Sequence, residues 1–410
     1  MASLRSLLAR ERVDALGAWG VTLALCLAAG RLYQLSEPDW TAFAVLLVGV
    51  MVVVPVAERD PAVTFPSELL ALVTLPVLVR AFDAFPTVTP FFAVAGVALL
   101  VAVVLDAYTS LAMTPRFAAV FVVVVTMALA GVWAVGVFAA DSLLGTSFLV
   151  GRVELMWDLV AATAAGVLAG IIFEVYFEYS ERVQRLRRAD RDDASRTAES
   201  GELPGEHHHR TAVRGMQAVL AVIAAAAVVR GNWTLLVNSG VPLAITLLPA
   251  ALRHQYDYTM DTGLVVWVTL ASTLHAAGAV GLYQWFGWFD SVTHALSASL
   301  VAGVGYAVAR AVELHARAVS FNRGFRATFV VLFVLAVGVG WEILEFASGG
   351  LASVVGGEAV LAQYGTADIV NDLVFNTVGA VLVAAYSSAH FEDVADLFVD
   401  RVSVVVRGGD

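Results

Sequence analysis

The sequence predicts an all-α fold, a polytopic transmembrane helix bundle of about twelve spans, built as two parallel six-helix repeats with both termini inside. Three observations predict it. Of 410 residues, 60% are hydrophobic and only 14% charged, against roughly 25% charged in a soluble domain. The mean hydropathy is +0.81. The apolar residues also gather into stretches close to the ~20 residues that a helix needs to cross the ~30 Å hydrocarbon core.

In chain order the expected spans are 14–34, 39–57, 63–82, 88–107, 117–139 and 155–178. A second set follows at 213–230, 236–252, 261–282, 290–311, 327–347 and 369–388. Prolines fall inside several of them, which a bundle tolerates because neighbouring helices re-satisfy the freed backbone groups. The first span follows Arg5, Arg10 and Arg12 in the manner of a signal peptide. Arg31 and Tyr33, not a small-residue cleavage site, come directly after it, so it reads as a retained helix. Cys26, the one cysteine, has no partner for a disulfide and is expected to be a buried apolar thiol.

Charge sets the orientation. All 24 basic residues are Arg, and 35 acidic residues leave a net charge of −11. That balance argues against nucleic-acid binding, which needs a basic face. An acidic chain without Lys resembles the proteins of extreme halophiles in composition. With an even number of spans, 20 of the 24 Arg fall on the side that holds the termini. Arg31, Arg80, Arg152 and Arg230 fall on the other. The positive-inside rule then places both termini in the cytoplasm of a multi-pass cell-membrane protein. Trp40, Trp157, Trp233, Trp285, Trp288 and Trp341 would all lie near the outer interface, where indoles concentrate.

A charged segment, 181–211, separates an N-terminal six-span block (1–180) from a C-terminal one (212–390), which a short cytoplasmic tail (391–410) follows. The segment's Glu-Ser-Gly-Pro composition reads as a linker. Its His207-His208-His209 run is an exposed triplet with weak claim to a metal. The blocks read as diverged copies: Trp157-Asp158-Leu159-Val160 matches Asn371-Asp372-Leu373-Val374, and Pro55 with Arg59 matches Pro249 with Arg253. Six spans per copy makes the copies parallel. Their polarity is unequal, because Ala134 and Val137 stand where the second copy has Glu342 and Glu345. Any site chemistry therefore belongs to the C-terminal block.

Three pieces of that block carry ionisable groups in or at the edge of spans. Asp290 and His294 share a helix face at i,i+4, and Glu342 and Glu345 share one at i,i+3. Asp368, Asp372 and Asn376 form an i,i+4,i+8 stripe. The topology puts all seven within about two turns, ~11 Å, of the outer surface. His275, late in the ninth span, ends on the same side and makes an eighth candidate ligand-binding residue. A carboxylate facing lipid at mid-depth would cost roughly 2.5–3.5 kcal/mol, so clustering around a wet pocket is favoured. Five carboxylates and one His cannot all stay ionised at close range unless they hold a cation. Asp290, His294, Glu342, Glu345 and Asp372 form the candidate metal set, and its oxygen-rich chemistry suits Mg²⁺, Mn²⁺ or Ca²⁺ better than zinc. Taken singly, each group is also explained as a helix cap or as hydrogen-bonded glue.

The C-terminal block resembles the YjdF-like family of bacterial inner-membrane proteins, whose domain has no settled function. The matching motifs are Phe289-Asp290 with His294, Trp341-Glu342 through Glu345-Phe346, and Gly365-Thr366 through Asp368 and Asp372. Asp372, Asn376 and Gly379 are more distantly similar to VanZ-like proteins. The resemblance implies one shared site and lends no reaction.

Three readings follow. The first is an integral membrane protein whose outward carboxylate/His pocket binds a cation, a lipid headgroup or an envelope precursor. The second is a proton- or cation-coupled secondary transporter, which the twelve-span layout imitates. The third is a non-catalytic membrane scaffold. With no Ser or Cys nucleophile motif and no His-rich zinc pattern, the sequence assigns no reaction.

Overall fold

The structure is a computed structural model. It describes residues 12–86, 89–108, 115–185, 207–256, 262–315, 321, 323–356, 359–361 and 363–385. Arg5, Arg10, most of the charged linker and the C-terminal tail lie outside the described residues.

All regular structure among the described residues is helical. The helices are α1 (Arg12–Gln34), α2 (Pro38–Glu58), α3 (Ser67–Ala81), α4 (Thr89–Tyr108), α5 (Pro115–Leu144) and α6 (Arg152–Arg185). Then come α7 (His207–Arg230), α8 (Trp233–Tyr256), α9 (Thr262–Ala277), α10 (Gly287–His315), α11 (Arg323–Val355) and α12 (Thr366–Ala385). Each overlaps one expected span. Ten are long and apolar enough to cross a membrane, α9 together with its continuation to Trp285. The third and fourth expected spans fall short. α3 has 15 residues, about 22 Å of helix, and the apolar run of α4 is Thr89–Val103. Pro66 and the turn at Phe82 bound α3, and its Leu69, Leu70, Val73 and Val77 are buried.

Large apolar side chains point outward along the long helices, as a lipid solvent requires. Leu23 and Leu27 on α1, Val222 and Val229 on α7, and Leu382 on α12 are all exposed. Contiguous apolar exposure on this scale marks a membrane surface. Cys26 belongs to that outward face, which corrects the expectation of a buried thiol. It sits one residue past the buried Leu25, so its helical phase turns it away from the core. α6 runs on to Arg185, and the His207-His208-His209 run opens α7.

The chain forms two compact units. One comprises 1–132, 157–188 and 311–326. In it α1 packs on α2 and α3, and α3 on α4. Asp14 accepts hydrogen bonds from the Ser67 amide (3.0 Å) and hydroxyl (2.5 Å), fixing the start of α3. Arg80 pairs with Glu37 at 2.5 Å and with Asp83 at 2.7 Å. Gly166 and Gly170 let α6 approach Thr126 and the Ala119 carbonyl of α5.

The second unit comprises 133–156, 189–310 and 327–410. In it α7, α8 and α9 pack pairwise. α10, α11 and α12 enclose a core of Ala298, Ala302, Tyr306, Val330, Val334, Ala380 and Val383. Small residues set how closely these helices pass. A Cβ on Gly379 would overlap the Ala295 carbonyl of α10, and one on Gly305 would meet the Phe333 ring of α11.

Candidate functional site

The close α10–α12 contact at Gly379 brings two polar stripes together. Asp290 and His294 lie one turn apart on α10, and Asp372 and Asn376 one turn apart on α12. Nε2 of His294 stands 3.6 Å from a carboxylate oxygen of Asp290 and 3.6 Å from one of Asp372. On the other side of the ring, Nδ1 lies 3.3 Å from Oδ1 of Asn376. An amide oxygen only accepts, so Nδ1 donates to it. Nε2 then faces the two carboxylates.

Burial sharpens this arrangement. Asp372 is 3% exposed, and its Oδ1 has no hydrogen-bond donor among the described residues. Polar atoms so deep in a protein are satisfied in the large majority of cases. One donor atom each from Asp290, His294 and Asp372 lies within 4.8 Å of the others, a grouping that could hold a metal ion. In a shell of about 2.1 Å radius, neighbouring donors stand roughly 3.0–3.4 Å apart. The observed 3.6 Å spacings are a few tenths wider, within the reach of side-chain adjustment. A second Asn link ties the same helices, where Asn371 Nδ2 donates to Ser291 Oγ at 3.1 Å.

Of the five expected metal ligands, only Asp290, His294 and Asp372 form this group among the described residues. Glu342 on α11 is fully buried, and its Oε2 accepts a 2.9 Å hydrogen bond from Gln363 Nε2 while Oε1 has no donor. Glu345 accepts from the indole of Trp341 at 2.9 Å. Asp368 accepts from the Tyr364 amide at 2.9 Å, reaching back over the start of α12 as a capping residue does. His275 belongs to a neighbouring network. Its Nε2 lies 3.1 Å from Asn238 Oδ1, its Nδ1 lies 3.2 Å from the Tyr283 hydroxyl, and its ring meets Trp341 edge-on.

That last network depends on irregular backbone. In a regular helix, residues eight apart are about 12 Å apart along the axis. A π turn over Gly278–Leu282, with Gly281 at φ 139°, folds Tyr283 back onto His275. The Tyr283 ring then lies over Gly278, where a Cβ would collide with it. Gln363, Asn238 and Tyr283 are thus site residues that the sequence reading missed. Asn238 carried a signal, being an amide within the first turns of an apolar span. Gln363 carried none, since a lone amide in a loop is ordinary.

A cavity of about 590 Å³ adjoins the site among α8 to α12. His275, His294 and Asn376 face it. Asn238 Nδ2 donates to the Val360 carbonyl at 2.6 Å, and Ser348 accepts from the Leu361 amide at 3.0 Å, pinning the segment before α12 over this end.

Two regions of the chain match family models. Residues 212–393 match the family model described as predicted membrane protein (DUF2238). This is a YjdF-like family. The DUF2238 region contains all eight expected site residues and the cavity. Residues 2–64 match a different model, a domain of unknown function (DUF8268). The VanZ-like resemblance gains no support from these matches. No curated protein and no solved structure matches the chain.

Proposed function

We propose that the DUF2238 region of this integral membrane protein binds a divalent cation at the outer side of the cell membrane, through Asp290, His294 and Asp372. The observation that carries the reading is the imidazole's orientation. Asn376 accepts a hydrogen bond from Nδ1, which leaves Nε2 3.6 Å from two carboxylate oxygens and free to act as a ligand once it is deprotonated. Three electron-rich donor atoms converge here, and a cation among them replaces their mutual repulsion with attraction. Second-group support of the ring, here by Asn376, is the usual arrangement for a metal-binding His. One nitrogen with two carboxylates suits Mn²⁺ first and Zn²⁺ next, with Ca²⁺ disfavoured. When bound, such an ion supplies a Lewis acid that can draw in an oxyanion.

The outward placement rests on the Arg distribution. α3 and α4 occur as a pair, so the parity of every later span is the same whether they cross or re-enter. Both termini are then cytoplasmic, and the α10 and α12 starts face outward. The test is isothermal titration of Mn²⁺ into the purified full-length protein. One site per chain is expected, weakened at least a hundredfold by Asp372→Asn. A wild type without binding would identify the trio as an imidazolium held between two carboxylates.

A transporter is a weaker reading. The polar groups gather toward one end of one unit, and the inward stretch of α10 beyond Leu300 presents chiefly apolar side chains.

A further inference from the structure

The cavity beside the cation trio has a polarity gradient that every long wall helix repeats. On α8 the lining passes from Asn238 to Val241 and Ile245, and on α9 from His275 and Ser272 to Val268. On α10 it passes from His294 and Ser297 to Leu300 and Val301, and on α11 from Trp341 to Val337 and Val334. In each case the polar residues lie toward the end of the unit where α9 finishes and α10 and α12 begin. The apolar residues lie toward mid-span. From Asn238 to Ile245, or from His294 to Val301, the wall extends about 11 Å along the helix. Val241 and Val337 are 53% and 41% exposed, so a molecule can reach the apolar wall. A volume of about 590 Å³ falls in the range of small-molecule sites, roughly 300–1,000 Å³.

The polar end has a definite chemistry. Asn376 spends its amide oxygen on His294, and its Nδ2 has no acceptor among the described residues. The Ser272 and Ser297 hydroxyls line the same space, also without a partner there. This end therefore offers donors to an oxygen-bearing head. Among the described residues no Arg lines the cavity, and Asp290 and Asp372 lie just behind His294, so an anionic head needs a bound cation to be tolerated.

We propose that the cavity seats one apolar chain of a phosphate-headed lipid, with the head meeting Asn376 and the cation held by Asp290, His294 and Asp372. This rests on the cation reading above. It adds the class of ligand, a lipid phosphate, and a reason for the site to lie inside the membrane. Cation and lipid phosphate then bind cooperatively, each raising the affinity of the other by the same factor.

The test uses the full-length protein in nanodiscs of zwitterionic lipid, titrated with n-alkyl phosphates of increasing length, with inorganic phosphate and with alkanols. With Mn²⁺ present, the dissociation constant should fall about fourfold per added methylene, equivalent to ~0.8 kcal/mol, until the chain fills the cavity. Without Mn²⁺ the affinity should drop at least tenfold. Val337→Trp, or Val241→Trp should the first not fold, should abolish the dependence on chain length and leave Mn²⁺ binding intact. Mn²⁺ binding with no chain-length dependence overturns this proposal alone. So does inorganic phosphate binding as tightly as the alkyl phosphates, which would make this a free-phosphate site. Alkanols binding as tightly as alkyl phosphates of equal length would overturn the assigned head. Failure of Mn²⁺ to bind at all removes the cation reading and this one with it.

Discussion

Asn376 Oδ1 lies 3.3 Å from Nδ1 of His294, and this one contact decides which ring nitrogen faces the carboxylates. An acceptor on Nδ1 holds a proton there and leaves Nε2 to face Asp290 and Asp372. Asn376 is therefore a positioning residue. Asn376→Ala should weaken Mn²⁺ binding about 10- to 100-fold, the usual effect of losing such a partner. Asn376→Asp, which keeps an acceptor, should restore most of it. Titration calorimetry on the two variants checks the claim, and equal weakening in both would assign Asn376 a packing role only.

Gly338 offers a substitution that separates binding from stability. A Cβ there would stand 2.9 Å from Asn376 Nδ2, so the amide must shift and its contact with His294 must loosen. Ala in place of Gly inside a helix otherwise stabilises by roughly 0.5–1 kcal/mol. Gly338→Ala should leave the melting temperature unchanged or higher and lower Mn²⁺ affinity several-fold. A lower melting temperature with unchanged affinity would contradict this.

Gln363 donates to the buried Glu342 from a segment outside any helix. Gln363→Ala removes the donor that reaches Oε2, in a place where Oε1 already has none. Leaving a buried polar group unsatisfied costs about 1–3 kcal/mol. A thermal melt should show that loss, and Glu342→Gln combined with Gln363→Ala should recover part of it.

Cys26 lies on the outward face of α1, near the middle of the helix. In intact membranes it should react with a lipid-soluble maleimide and resist a water-soluble one. In a Cys26→Ala background, Ser147→Cys in the α5–α6 loop should label from outside, and Ser195→Cys in the linker should not. Labelling of Ser195→Cys from outside would invert the proposed orientation.

Much of this was legible in the sequence because two periodicities coincide in it. Apolar runs near 20 residues gave twelve helices, and i,i+4 spacing put Asp290 with His294 and Asp372 with Asn376 on single faces. What brings those faces together is Gly379 against the Ala295 carbonyl, a long-range contact with no local signal. The narrowing from five candidate ligands to three has two origins. Glu345 is engaged by an indole one turn earlier on its own helix, and Glu342 by Gln363 from the segment before α12, a long-range contact. The π turn at Gly278–Leu282 was hidden because its residues read as ordinary apolar helix. α3 was overestimated for a related reason: Val63 and Phe65 extend its apolar run through residues that are buried but not helical.

The central claim is that His294 Nε2 joins Asp290 and Asp372 around one divalent cation. Pulsed electron paramagnetic resonance of Mn²⁺ added to the full-length protein tests it most directly. The account predicts a bound ion coupled to a single directly ligated nitrogen, with the coupling lost in His294→Ala. Bound Mn²⁺ with no nitrogen coupling, or a coupling that survives His294→Ala, would contradict it.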